Sequence, residues 1–195
     1  EPIQPDPELS HASNFLYMLT GNKPDKEMER VFDVCLILHA DHTFNASTFA
    51  AREVASTRAH MYSAVSAAVG ALSGELHGGA NYEVMKMLLD IKDEDNATNW
   101  VKSRIENGDR IMGMGHAVYK TVDPRSMVLK ELSKKLSEKT GLPWYNITKK
   151  VEETTSEIMK NRKERDIFPN VDLYSASVYY MLNIPMDLNT PIFAI

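Results

Sequence analysis

The chain has 195 residues, 43% of them hydrophobic, and a formal net charge of -5. That is enough apolar material for a real core in one or two domains, and the acidic balance argues against a general nucleic-acid binder while leaving room for local basic clusters that hold an anion. Its single cysteine, Cys35, excludes an internal disulfide and, lying in an apolar helical run, reads as a buried thiol in a reducing compartment. No apolar stretch approaches the roughly 20 residues of a membrane helix and no signal-peptide pattern opens the chain, so the cytoplasm, or an organelle matrix, is the expected location.

Residues 1–24 carry Pro2, Pro5, Pro7 and Pro24 around a short apolar patch from Phe15 to Leu19, closed by Gly21. This predicts an irregular lead-in with one brief helix. Pro24 suits the first turn of a helix that puts Met28, Val31, Phe32, Cys35 and Leu38 on one face, with His39 and His42 at its C-terminal end. Ser47 or Thr48 can cap the next helix, which runs to about Thr57. From Met61 to Leu72, small side chains at helical spacing allow close approach of another helix in this subunit or in a second copy; a plain core helix is the other reading. Gly74 ends that helix, and Tyr82 to Ile91 forms an amphipathic one. Asp90 to Asn99 reads as a polar linker, followed by a helix from Trp100 to Asn107 that Gly108 stops. Asp123 and Pro124 make an N-cap and first-turn pair for a helix to about Lys139, with Met127, Val128, Leu132 and Leu136 at its apolar positions and its lysines forming a solvated face. A charged helix covers residues 145–165. A loop over 166–170 then brings Asp172 to the start of a helix from Leu173 to Leu182, and Pro191 opens the last segment. No alternating strand pattern occurs, so the expected class is all-α.

One stretch carries more chemistry than the rest: Met112-Gly113-Met114-Gly115-His116-Ala117-Val118-Tyr119-Lys120, running on through Asp123-Pro124-Arg125. Two glycines leave the backbone bare just before an imidazole, and a point charge and a planar guanidinium follow. The set suits a substrate bearing phosphate and carboxylate groups; a turn with a solvated basic flank is the plain alternative. It is not a dinucleotide fingerprint, because Val118 stands where a third glycine or alanine is needed and no strand precedes it. His77, just before a helix start, feels the positive end of the dipole, which lowers its pKa and keeps it a neutral hydrogen-bond donor. His39 and His42 around Asp41 suggest a metal site for which the sequence places no third ligand. His11 and His60 read as surface or packing residues, and Asp172 on its own reads as a helix N-cap.

Leu76-His77-Gly78-Gly79-Ala80-Asn81, the glycine–histidine stretch, Pro169-Asn170-Val171-Asp172 and His39-Ala40-Asp41-His42 together closely resemble the citrate synthase family, in the right order over nearly the whole chain. The resemblance implies a helical fold in which residues 1–78 belong to a large domain, 79–180 to a small domain carrying the CoA-binding loop and the catalytic aspartate, and 181–195 return to the large domain. It implies that His77 stabilises the enol of acetyl-CoA, Asp172 abstracts the methyl proton, and His116 polarises the oxaloacetate carbonyl. His42 and Arg125 match oxaloacetate-binding positions, the backbone of Met112, Gly113, Met114 and Gly115 matches the segment that cradles the CoA adenine, and Lys120 sits where the family often has a base for CoA phosphate. The chemistry accords with these residue types. A thioester methyl is so weak a carbon acid that base and electrophile must flank one substrate, and the fork of Arg125 can take a carboxylate bidentately.

The resemblance further implies acetyl-CoA as cosubstrate, no permanently bound cofactor or metal, a homodimer with no nucleic-acid or membrane partner, and a small domain that closes over the keto acid and excludes water. Family subunits are about twice as long, and both ends of this chain read as cuts. A substrate-binding arginine follows in the family soon after Ile195 and another comes from the partner subunit, so this piece is expected to lack a complete carboxylate clamp. Glu75 stands where bacterial relatives often have proline, and Arg58-Ala59-His60 is more polar than usual. The nearest rival is 2-methylcitrate synthase using propionyl-CoA, since one methylene in an apolar pocket is worth only about 1–3 kcal/mol. A non-catalytic helical module would show the loss of a catalytic side chain, yet all three are present. A piece of a citryl-CoA-cleaving enzyme is the remaining alternative.

Overall fold

The computed structural model describes residues 2–40, 44–74, 77–116, 121–162 and 166–194. Among them every regular element is helical, and the one extended pairing is an isolated bridge between Met114 and Pro169, as the all-α expectation requires. No helix of the described residues is long and apolar enough to cross a membrane. The chain divides into two compact units, Glu1–Ala80 with Asp187–Ile195, and Asn81–Met186.

In the first unit, α1 (His11–Thr20) is capped by Ser10 and closed by Gly21 at φ 77°, a left-handed conformation that glycine adopts without strain. It packs on α2 (Lys26–Ala40), with Phe15 and Phe32 stacked at 4.9 Å and Ala12, Leu16, Val31 and Cys35 around them. Cys35 is fully buried, and burial pushes its thiol well above the ordinary range, so it is chemically inert. Pro24 lies outside α2. Asp25 caps it instead, its carboxylate accepting the Glu27 and Met28 N–H groups at 3.0 Å each. Likewise α3 (Ala46–Ser56) is capped by Asn45, which takes the Thr48 N–H at 2.8 Å, and not by Ser47 or Thr48. Helix α4 (Met61–Leu72) packs on α3 but leaves Met61, Tyr62, Val65 and Val69 exposed. After it, Gly78 is wedged in place: a Cβ there would lie 2.3 Å from the Leu72 carbonyl oxygen and 2.6 Å from Thr190 Cγ2. Thr190, on the short α10 (Asn189–Ile192), donates to the Gly78 carbonyl at 2.7 Å.

The second unit is built around α9 (Val171–Met181), in which every residue but Asp172 and Tyr180 is buried. Helices α7 (Pro124–Thr140) and α8 (Trp144–Asn161) pack on it, α6 (Glu94–Glu106) packs on α8, and α5 (Ala80–Ile91) reaches it through Asn81. The polar linker expected over Asp90 to Asn99 is absent. Helix α5 runs on through Ile91, and Asp93 already caps α6 by accepting the Asp95 N–H at 3.0 Å. The stretch misleads because α6 buries only a thin stripe, Ala97, Val101 and Ile105, and turns its polar residues to water. On α7 the inner face is also displaced. Met127 and Val128 are 62% and 42% exposed, whereas Ser126, Leu129, Ser133 and Leu136 are buried. Small hydroxyl residues let α7 approach α9 closely, and Ser133 and Ser177 satisfy each other at 2.9 Å. Between α5 and α9, the Asn81 amide donates to the Ser175 hydroxyl, which in turn donates to the Val171 carbonyl at 2.8 Å.

Candidate active site

The start of α9 is fixed by local sequence. Asn170 precedes it with extended backbone and caps it, its side-chain oxygen accepting the Asp172 N–H at 2.9 Å. Asp172 is therefore the second residue of the helix and not its cap. Its carboxyl is free of that duty, and among the described residues none donates a hydrogen bond to it.

The glycine–histidine loop is zipped to this turn. Gly115 N–H donates to the Phe168 carbonyl at 2.7 Å, and Asn170 N–H to the Gly113 carbonyl at 2.9 Å. The Asn170 side-chain amide donates to the Gly115 carbonyl at 2.8 Å. Gly113 and Gly115 have φ of 79° and 88°, conformations that L side chains rarely adopt. A Cβ on Gly113 would lie 2.8 Å from Leu173 Cα, and one on Gly115 would touch Ile167. The missing side chains thus make room for α9 and its approach loop. Met112, Met114 and His116 flank these glycines half-buried.

Asp123 caps α7, accepting the Arg125 N–H at 3.0 Å, and the same carboxylate takes the Arg125 guanidinium through Nε at 3.0 Å and Nη2 at 2.8 Å. Both residues are buried. The fork expected to hold a substrate carboxylate is thus engaged by one of the protein's own. Asp172 is half-buried as a residue, and the desolvation of its carboxyl pushes it up to about 6; the Arg125 charge pulls it down and the Asp123 charge pushes it up. A carboxylate poised near neutrality, on a rigid helix beside a buried ion pair, has the properties of a general base.

His77 belongs to the first unit, in the turn after α4. Its Nε2 accepts the Ser47 N–H at 3.2 Å and lies 3.0 Å from the Ser47 hydroxyl. An accepting Nε2 leaves the proton of the neutral ring on Nδ1. Burial lowers the ring's pKa, in the expected direction. His42 and Lys120 lie outside the described residues. The His39 ring lies tilted against Phe193 with centroids 4.1 Å apart, and no group of three or more metal-type ligands occurs among the described residues, Asp41 and His42 being outside them. His60 has a capping role, taking the Tyr62 N–H at 3.3 Å, while His11 opens α1. Asn170 and Ser47 are the partners that sequence reasoning missed. The signal for Asn170 was there, an asparagine between a proline and an apolar helical run, but it was given to Asp172 instead.

All of residues 1–195 match the family model for the citrate synthase C-terminal domain. The chain belongs to the citrate synthase family. It is 49% identical over 195 residues to the citrate synthase of Haloferax volcanii, covering 99% of this chain and 50% of the relative. The crystal structure of the Pyrobaculum aerophilum citrate synthase superposes with a TM-score of 0.90 at 42% identity, over 100% of this chain and 48% of that one. That of the Thermoplasma acidophilum enzyme, a ternary complex with carboxymethyl coenzyme A and oxaloacetate, gives 0.88 at 37% identity, over 97% and 50%. A relative named 2-methylcitrate synthase 1, from Corynebacterium glutamicum, is 42% identical over 100% of this chain and 51% of its own length. This chain spans about half the length of the citrate synthases it matches.

Proposed function

We propose that the full-length protein containing this chain condenses acetyl-CoA with oxaloacetate and water to give citrate and free CoA. The observation that carries the reading is the Asp172 carboxyl, raised to about 6 by burial and presented from the first turn of α9 beside the loop that ends in His116. In the proposed sequence the Asp172 carboxylate takes a methyl proton from acetyl-CoA while His77 Nδ1 passes its proton to the thioester oxygen, giving the enol. The enol carbon attacks the keto carbon of oxaloacetate, whose oxygen His116 polarises and protonates, and water then cleaves the citryl thioester with release of CoA. Arg125 and His42 are assigned to oxaloacetate, the Met112–Gly115 backbone to the adenine of CoA, and Lys120 to its phosphate. Residues 79–180 are read as the small domain, and residues 1–78 and 181–195 as parts of the large one.

A cytoplasmic homodimer is part of the same reading. The exposed apolar stripe of α4, with Val65 and Val69 at 54% and 53%, suits a second copy of the same helix. Val65→Asp is expected to shift the full-length protein toward monomer in light scattering at micromolar concentration.

The activity test is thiol release by the full-length protein from acetyl-CoA and from propionyl-CoA, with and without oxaloacetate. Release that depends on oxaloacetate and is faster with acetyl-CoA is expected. Faster release with propionyl-CoA favours the methylcitrate reading, for which the Corynebacterium relative speaks, and no release from either by a folded protein refutes both.

A further inference from the structure

We infer that Asn170 is a positioning residue that locks His116 and Asp172 into one register, so that the groups acting on the two substrates move as a single body. The inference rests on the proposed condensation for its catalytic consequence, but its structural content is independent of it.

One side chain makes both connections. The Asn170 oxygen holds the Asp172 N–H at 2.9 Å, which sets the first turn of α9, and its nitrogen holds the carbonyl of Gly115, the residue before His116, at 2.8 Å. The two bonds draw on opposite ends of one planar amide, so a displacement of either segment is transmitted to the other. The backbone N–H of the same residue holds Gly113, and its neighbour Pro169 pairs with Met114. Asn is the residue type that satisfies this site. Serine or aspartate also caps a helix, but neither can donate to the Gly115 carbonyl while doing so: the hydroxyl is too short and the carboxylate has no proton. A condensation between two bound substrates is sensitive to such coupling, since a misplacement of about 1 Å costs roughly a hundredfold in rate.

The test separates the two bonds in the full-length protein. Asn170→Ser keeps a cap for α9 and loses the bond to Gly115, whereas Asn170→Ala loses both. Expected for Asn170→Ser is a kcat lower by roughly 10- to 100-fold with little change in the KM for acetyl-CoA and cooperative unfolding retained. The carbonyl resonance of bound [2-13C]oxaloacetate, which reports polarisation by His116, is expected to move back toward its free value in Asn170→Ser and to stay in place in Asp172→Asn. A kcat within twofold of wild type and an unmoved resonance overturn the inference. If the wild-type protein releases no thiol with oxaloacetate, the functional reading fails on its own, and amide hydrogen exchange decides the coupling. Faster exchange in Asn170→Ala over both 113–116 and 171–173, with α5 unchanged, upholds it; acceleration in one segment alone, or in neither, overturns it.

Discussion

Asp172 illustrates how a single carboxyl whose pKa is raised in the fold costs stability at neutral pH. Its carboxyl ordinarily titrates near 3.8 and is pushed to about 6 in the fold, so between those values the native state holds a proton that the unfolded chain has released. The stability associated with the group is fully present below pH 4 and is lost as pH rises through 6, a shift of about two units corresponding to at most about 3 kcal/mol. Asp172→Asn is therefore expected to stabilise the protein by about 1–3 kcal/mol at pH 7.5 and to leave it unchanged at pH 4, as measured by urea unfolding at the two pH values. At this scale the sequence was informative about residue types and less so about partners. His77 was legible as a neutral donor, but the Ser47 N–H that fixes its tautomer lies 30 positions away in the chain. Arg125 was legible as a bidentate cation, whereas its pairing with Asp123 was hidden by a spacing that reads as simple helix capping.

Among the elements, the loop over 112–116 gains its shape from contact with α9. Gly113 and Gly141 both adopt left-handed backbone, at φ 79° and 71°, but only at Gly113 would a Cβ meet other atoms, the nearest being the backbone of Leu173. Alanine at Gly141 is expected to cost about 1–2 kcal/mol, the strain of the conformation alone. Gly113→Ala should cost clearly more, and chemical denaturation of the two variants side by side checks the difference. Helix ends announced by Gly21, Gly141 and Asp123 were legible because the signal is local. The extent of α5 and α6 over the polar stretch and the inward face of α7 were not, because both depend on neighbours. A thin stripe suffices where a helix packs on only one side, and buried serines count as core when another helix supplies their hydrogen bonds.

For the molecule as a whole, four short motifs in a fixed order identified the family and the helical class, since such spacing is set by catalysis as much as by packing. In the fold His77 is carried by the first compact unit, and His116, Arg125 and Asp172 by the second. The proposed chemistry requires Asp172 as the base that acts on the thioester. Steady-state citrate formation by full-length Asp172→Asn, against wild type at saturating oxaloacetate and acetyl-CoA, tests that requirement most directly. The account predicts a kcat lower by at least about a hundredfold, consistent with loss of a general base, and an unchanged Kd for oxaloacetate. A rate within tenfold of wild type, in a variant that still binds oxaloacetate, would contradict it.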